Sequence, residues 1–132
     1  MTQSLAQKRA KDALAKIQAL QTSNDYGKYD SYVKALPATI IMNGLGQAMA
    51  SIVASAKLSG ANRSQDHKAH EALYKNISSW LCSNAWESPY RGESDLLEAI
   101  TSNNEAAYLR AQAEAMAYLE WLKKFSNAYL GD

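Results

Sequence analysis

The sequence predicts an all-α protein, an elongated single-domain bundle of five or six helices across residues 1–132, and three observations predict it. Alanine (23) and leucine (14), both strong helix formers, supply more than a quarter of the 132 residues. Valine, isoleucine and threonine total 12, too few for a substantial sheet. Apolar residues recur at intervals of three and four, the period of one helix face.

The first helix is expected over Ser4 to Gln21, with Ala6, Ala10, Ala13, Leu14, Ile17 and Leu20 on its packed side. Lys8, Arg9, Lys11 and Lys16 fall outside that stripe and make the other face basic. Thr22-Ser-Asn-Asp25 breaks the pattern and offers caps. A second helix, Tyr26 to Leu36, carries Tyr29, Tyr32, Val33 and Leu36 on one side and is expected to stop at Pro37. A third, Ala38 to Leu58, is the least polar part of the chain, with Ile41, Leu45, Ala48, Met49, Ile52, Val53 and Ala56 on a wide apolar face. Asn43 and Gln47, four residues apart there, are either hydrogen-bonded inside the bundle or turned toward another subunit. Gly60 follows as a stop signal.

Ser59 to Gln65 reads as a loop. The fourth helix, Asp66 to Asn84, has Leu73, Ile77, Trp80 and Leu81 at helical spacing. Trp86 to Glu93, with Pro89 and Gly92, is the second loop. A short fifth helix follows with Ser94 as its cap and Leu96, Leu97 and Ile100 as its apolar side. Ser102-Asn-Asn-Glu105 has capping-box spacing and sets the start of a last helix running to Leu130, about 40 Å long.

Net charge is +1, so no global field recruits nucleic acid or acidic lipid. The sum hides a split: residues 1–76 hold ten basic and five acidic groups, net +5, and residues 77–132 hold four and eight, net −4. Such a division suits docking to a partner or stacking of copies, basic part against acidic part. A single cysteine excludes an internal disulfide and fits a reducing compartment. The polar start is unlike a signal peptide, and no apolar run approaches the roughly 20 residues that span a bilayer. A cytoplasmic chain with no membrane partner is expected.

No catalytic constellation emerges. Gly44-Leu-Gly46 resembles the start of a dinucleotide loop but lacks the third glycine and a preceding strand. His67, His70 and Glu71 share a helical face, yet zinc takes three or four ligands and Cys82 lies three turns on. Cys82, beside Trp80 and Leu81, reads as inert packing. Glu93, Asp95 and Glu98 cluster at a helix start, where carboxylates favour the macrodipole. The reading is a non-enzyme, with neither cofactor nor metal, that binds or assembles.

One stretch carries more than periodicity. Tyr29-Asp-Ser-Tyr32-Val-Lys34-Ala-Leu36-Pro37 leads into Ile40-Ile41-Met-Asn43-Gly44-Leu45-Gly-Gln47, and Ala117-Tyr-Leu119-Glu-Trp121-Leu122-Lys123-Lys124-Phe125 closes the chain. Together these resemble the small helical subunit of the type III-B CRISPR effector, the Cmr complex, which uses a guide RNA to bind and cut target RNA. The family pattern is a helix ending in proline, an Asn-Gly-Leu-x-Gln helix running on to a lysine, here Lys57, and a Trp-Leu-Lys-Lys-Phe close.

The resemblance implies a non-catalytic subunit that stacks in copies beside larger Cmr subunits along the channel holding guide RNA and target RNA. On that reading the RNA-backbone contacts are Lys57, Lys123 and Lys124 at family positions, with Lys8, Arg9, Lys16 and Arg63 added from charge. One basic stripe per copy acts additively when copies line up. Trp86, in a loop beside Pro89, is the aromatic expected to face a partner, while Trp121 fits bundle packing. A stand-alone helical adaptor or regulator that binds a protein and no RNA is the competing class.

Overall fold

The computed structural model describes residues 2–131, and every regular element among them is a helix. In chain order these are α1 (Leu5–Gln21), α2 (Tyr29–Asn43), α3 (Leu45–Ala56), α4 (Gln65–Leu81), α5 (Leu96–Ser102) and α6 (Glu105–Tyr129). The 25 residues of α6 make a rod of about 38 Å, the long axis of the bundle. None of the described helices is long and apolar enough to cross a membrane.

Side chains set most of the helix starts. Ser4 and Ser64 each accept the backbone N–H three residues on, and Gln7 and His67 return the bond to close two capping boxes. The cap of α5 is Asp95, not Ser94, because its carboxylate accepts the Glu98 N–H. At α6 the cap is Asn104, which accepts from Ala107; the expected box from Ser102 fails because Ser102 still belongs to α5.

The α2–α3 boundary is the main departure from the sequence reading. Pro37 lies inside α2 and does not end it. An interior proline costs about 3 kcal/mol. Val33, Leu36 and Ile40 on either side of it are fully or almost fully buried. At about 1.5–3 kcal/mol each, their burial outweighs the penalty. The chain turns instead at Gly44, with φ 85° and ψ 160°. That region of backbone space is open essentially to glycine alone. A Cβ there would also stand 3.0 Å from the Tyr108 hydroxyl. The turn rotates α3 relative to α2, so Ile41 points outward and is not part of the core face.

α4 is central and packs on α2, α3, α5 and α6, while α6 also covers α1 and α2. One contiguous core results, filled by Ile17, Tyr29, Ile40, Met49, Leu73 and Tyr118 among others. α6 supplies the first turn of α3 with acceptors: Gln112 Oε1 accepts the Leu45 N–H at 2.9 Å and the Tyr108 hydroxyl accepts the Gly46 N–H at 2.9 Å.

Candidate nucleic-acid interface

Of the basic residues of the first helix, Lys8, Arg9 and Lys16 are turned onto internal partners, while Lys11 is exposed. Lys8 Nζ lies 2.6 Å from Glu87 Oε2 and holds that carboxyl below its ordinary range. Arg9 makes a fork to Glu114, with Nε and Nη2 at 2.6 and 2.8 Å from its two oxygens. Trp80 Nε1 donates to the same carboxylate at 2.9 Å. The hydrogen bond to Glu114 raises the Arg9 pKa further. Lys16 sits between Asp12, at 2.5 Å, and the Asn76 carbonyl, at 2.9 Å, with its ammonium 5.2 Å from the Tyr118 ring centre. Burial lowers the Lys16 pKa. Lys8–Glu87 and Arg9–Glu114 join the basic and acidic parts of the sequence, so the fold neutralises much of the charge split within one chain.

Arg63 has a comparable internal task. Its Nε and Nη2 donate to the Ala56 carbonyl at 3.2 and 3.0 Å, capping α3, and Nη1 meets Glu71 Oε1 at 2.8 Å. This fork pins the loop between α3 and α4. Hydrogen bonding from Lys75, then from Arg63, draws the Glu71 carboxyl below its usual range.

Lys57, Lys123 and Lys124 are differently placed. Lys57 ends α3 at φ 48° and ψ 56°, in the left-handed region, and its side chain is exposed. Lys124 is exposed, and Lys123 is half-buried with its ammonium 3.8 Å from Glu120. An open groove of about 470 Å3 runs between Lys123, Lys124, Asn127 and Lys34. Lys34 escaped the sequence reading because only the pairing of α2 with α6 brings it there. It bonds Asn127 Oδ1 at 2.9 Å and Asp30 Oδ2 at 2.7 Å. Asp30 in turn accepts from the buried Ser126 hydroxyl at 2.8 Å, which fixes the start of α2 beside the end of α6.

The start of α4 lies at this same end, since His70 stacks on Tyr32 with ring centres 3.9 Å apart. Lys57 and Arg63 both lie on the short connection between α3 and α4, so four of the seven predicted cations, and Lys34, lie toward this end of the bundle, where Lys34, Lys123 and Lys124 line the groove. Lys8 and Arg9 lie toward the other end, where α1 begins.

The remaining candidates take ordinary structural positions. His67 Nδ1 accepts the Ser64 N–H at 3.0 Å, and His70 Nδ1 lies 2.8 Å from the Asp66 carbonyl. Cys82 is buried and its pKa is pushed up to about 11 by desolvation, which leaves a poor nucleophile. Trp80 and Trp121 pack on the core, Trp80 stacked on Tyr118, whereas Trp86 is 77% exposed in the loop before α5. Asn43 and Gln47 both face outward.

Comparison with known proteins adds a relationship across nearly the whole chain. Residues 5–129 match the model of a family described as CRISPR-associated protein (Cas_Cmr5). A Thermus thermophilus protein described as CRISPR system Cmr subunit Cmr5 is 27% identical over 121 residues, covering 92% of this chain and 91% of its own length. A crystal structure of a CRISPR-associated Cmr5 family protein from Thermus thermophilus superposes with a TM-score of 0.71 at 23% identity, covering 97% of this chain and 99% of the other. That likeness shows the fold.

Proposed function

This chain belongs to the CRISPR-associated Cas_Cmr5 family, and from that premise we propose that it is a non-catalytic small subunit of a type III-B, RNA-guided Cmr effector. It stacks in copies along the guide–target RNA channel and supports assembly and target RNA binding in antiviral defence. Its partners are the other Cmr subunits, further copies of itself and, through the assembled complex, guide RNA and target RNA. The observation that carries the RNA part is the cationic groove of Lys34, Lys123 and Lys124, with Lys57 at the same end.

The geometry narrows the seven cations. Arg9 and Lys16 each hold two internal acceptor atoms and Arg63 holds three, and moving them onto a phosphate would strip a part-buried carboxylate of its partner. Lys8 is bound to Glu87 but keeps a more open side chain. Lys57, Lys123 and Lys124 therefore take the backbone contacts, with Lys34 positioned beside them. A chain of net +1 binds RNA weakly alone, and repetition of this cationic end along a row of copies supplies the affinity.

The test is a reconstituted complex carrying Lys123→Glu and Lys124→Glu. Target RNA retention is expected to fall, with a shallower dependence on salt concentration. Unchanged retention across the salt series would remove these residues from the RNA contact. Recovery of the tagged native chain without larger subunits or guide RNA favours the stand-alone adaptor instead.

A further inference from the structure

Trp80 is held in one orientation from two directions. Its ring lies on Tyr118, with ring centres 5.1 Å apart and planes 9° from parallel. Its Nε1 donates to Glu114 Oε2 at 2.9 Å, and the Arg9 fork grips the same carboxylate. Stack and hydrogen bond together fix the plane of the indole. The side chain is nevertheless only half-buried. With Gln3, Lys8, Lys11, Asp12 and Ala15 it walls an open groove of about 300 Å3 beside α1. That volume is at the lower end of small-molecule sites, with room for about one nucleotide.

The charges around this groove leave a cation to spare. Asp12 accepts from the Lys16 ammonium at 2.5 Å and the Tyr118 hydroxyl at 2.6 Å. Glu87 is held by Lys8, and Glu114 by Arg9 and the indole. Lys11 is exposed and joins none of the ion pairs among the described residues. Four cations therefore face three carboxylates, each carboxylate is partnered, and the surplus charge sits on Lys11. The Lys8 side chain is 37% exposed, and its ammonium has donors left beside the one on Glu87.

We infer that this groove takes one nucleotide of a single RNA strand, the base stacked on Trp80 and the phosphate held by Lys11 with Lys8 beside it. The inference rests on the RNA role proposed above and adds a contact on a different side of the molecule. Lys123 follows Glu114 on α6 by nine residues, about two and a half turns, so the two point to opposite sides of that helix. The groove of Lys34, Lys123 and Lys124 offers cations and no aromatic ring. The Trp80 groove offers both. Stacking on an aromatic side chain needs an unpaired base and accepts any base, because each has a π-face. An acidic peptide would satisfy Lys11 but bring no flat partner to the indole.

Fluorescence of the free chain tests this. A Trp86→Phe, Trp121→Phe chain keeps Trp80 as its only indole. A short oligouridylate at low salt is expected to quench its emission. Affinity is then read by anisotropy of the dye-labelled oligouridylate in a Lys123→Ala, Lys124→Ala background, which removes the second groove. There Trp80→Leu is expected to weaken binding about fivefold or more with the salt slope unchanged, and Trp80→Phe to restore part of the loss. Lys11→Glu is expected to lower the salt slope by about 1. No quenching up to about 1 mM oligouridylate, some ten times the weak limit of non-specific binding, would overturn the inference. Equal quenching by duplex RNA or by polyglutamate would overturn it too, since the site would then bind anions without stacking a base. So would an unchanged affinity of Trp80→Leu, its fold checked by circular dichroism; if that variant unfolds, Trp80→Phe and the quenching titration decide. The assay reads one indole of the free chain, so its failure is distinct from failure of the Lys123 and Lys124 test in the assembled complex.

Discussion

Replacing Lys57 with glycine separates two things that one residue does. At φ 48° and ψ 56° it is the single non-glycine residue with positive φ among those described. Holding a side chain in the left-handed region costs roughly 1–2 kcal/mol. Glycine relieves that cost but frees the unfolded chain, which returns roughly 0.5–1 kcal/mol. The expected net effect of Lys57→Gly is a gain of about 0–1.5 kcal/mol, at most a rise of roughly 5–7 °C in Tm for a domain of this size. Lys57→Ala keeps the strain and removes the amine, so its Tm is expected to stay near that of the native chain.

Both variants should lose target RNA retention in the reconstituted complex. Removing one phosphate contact lowers the salt slope by about 1 per contact. Thermal unfolding by circular dichroism and RNA retention across a salt series are the two assays. A glycine variant clearly less stable than the native chain would refute the strain argument. A glycine variant whose RNA retention and salt slope are unchanged would refute the assignment of Lys57 to the RNA.

Four further outcomes are expected. Arg9→Met leaves Glu114 part-buried with only the Trp80 N–H, and should cost about 1–3 kcal/mol in urea unfolding; a loss below about 0.3 kcal/mol would show the fork to be an ordinary surface pair. Tyr108→Phe withdraws the acceptor for the Gly46 N–H and should destabilise by about 1–2 kcal/mol, whereas a neutral effect would mean that α3 does not depend on α6 for its first turn. The raised Cys82 thiol should react with a thiol reagent at pH 8 far more slowly in the native chain than in urea, and equal rates would contradict its burial. Glu71, whose folded pKa is lowered, contributes stability that is present above its unfolded value of 4.5 and is lost as pH falls through the folded pKa. Glu71→Gln should therefore flatten the acid limb of a stability–pH curve, and an unchanged limb would remove Glu71 as its source.

Some of the molecule was legible because the forces responsible are local. Ala13, Ile17 and Leu20, and Leu73, Ile77 and Leu81, share helix faces by spacing alone, and the same residues are buried. Trp86 was readable as an exposed aromatic because a loop rich in turn residues gives it no face to pack on. The motif spanning Tyr29 to Gln47 and closing at Phe125 identified the family without any geometry, since it is a statement about residue identity.

The rest depended on partners distant in the chain. Pro37 carries a helix-breaking penalty that any local reading counts, and only the burial of Leu36 and Ile40 among other helices overrides it. The basic first helix and the acidic later half were visible as composition. Their pairing, Lys8 with Glu87 and Arg9 with Glu114, joins residues 79 and 105 positions apart, which periodicity cannot align. Lys34 joins Lys123 and Lys124 only because α2 and α6 pack together. Sequence by itself determined the helical class, most core faces and the family. Tertiary packing decided which charges remain outward, because an ion pair forms where burial of apolar faces brings two segments together, and that burial is a property of the whole chain.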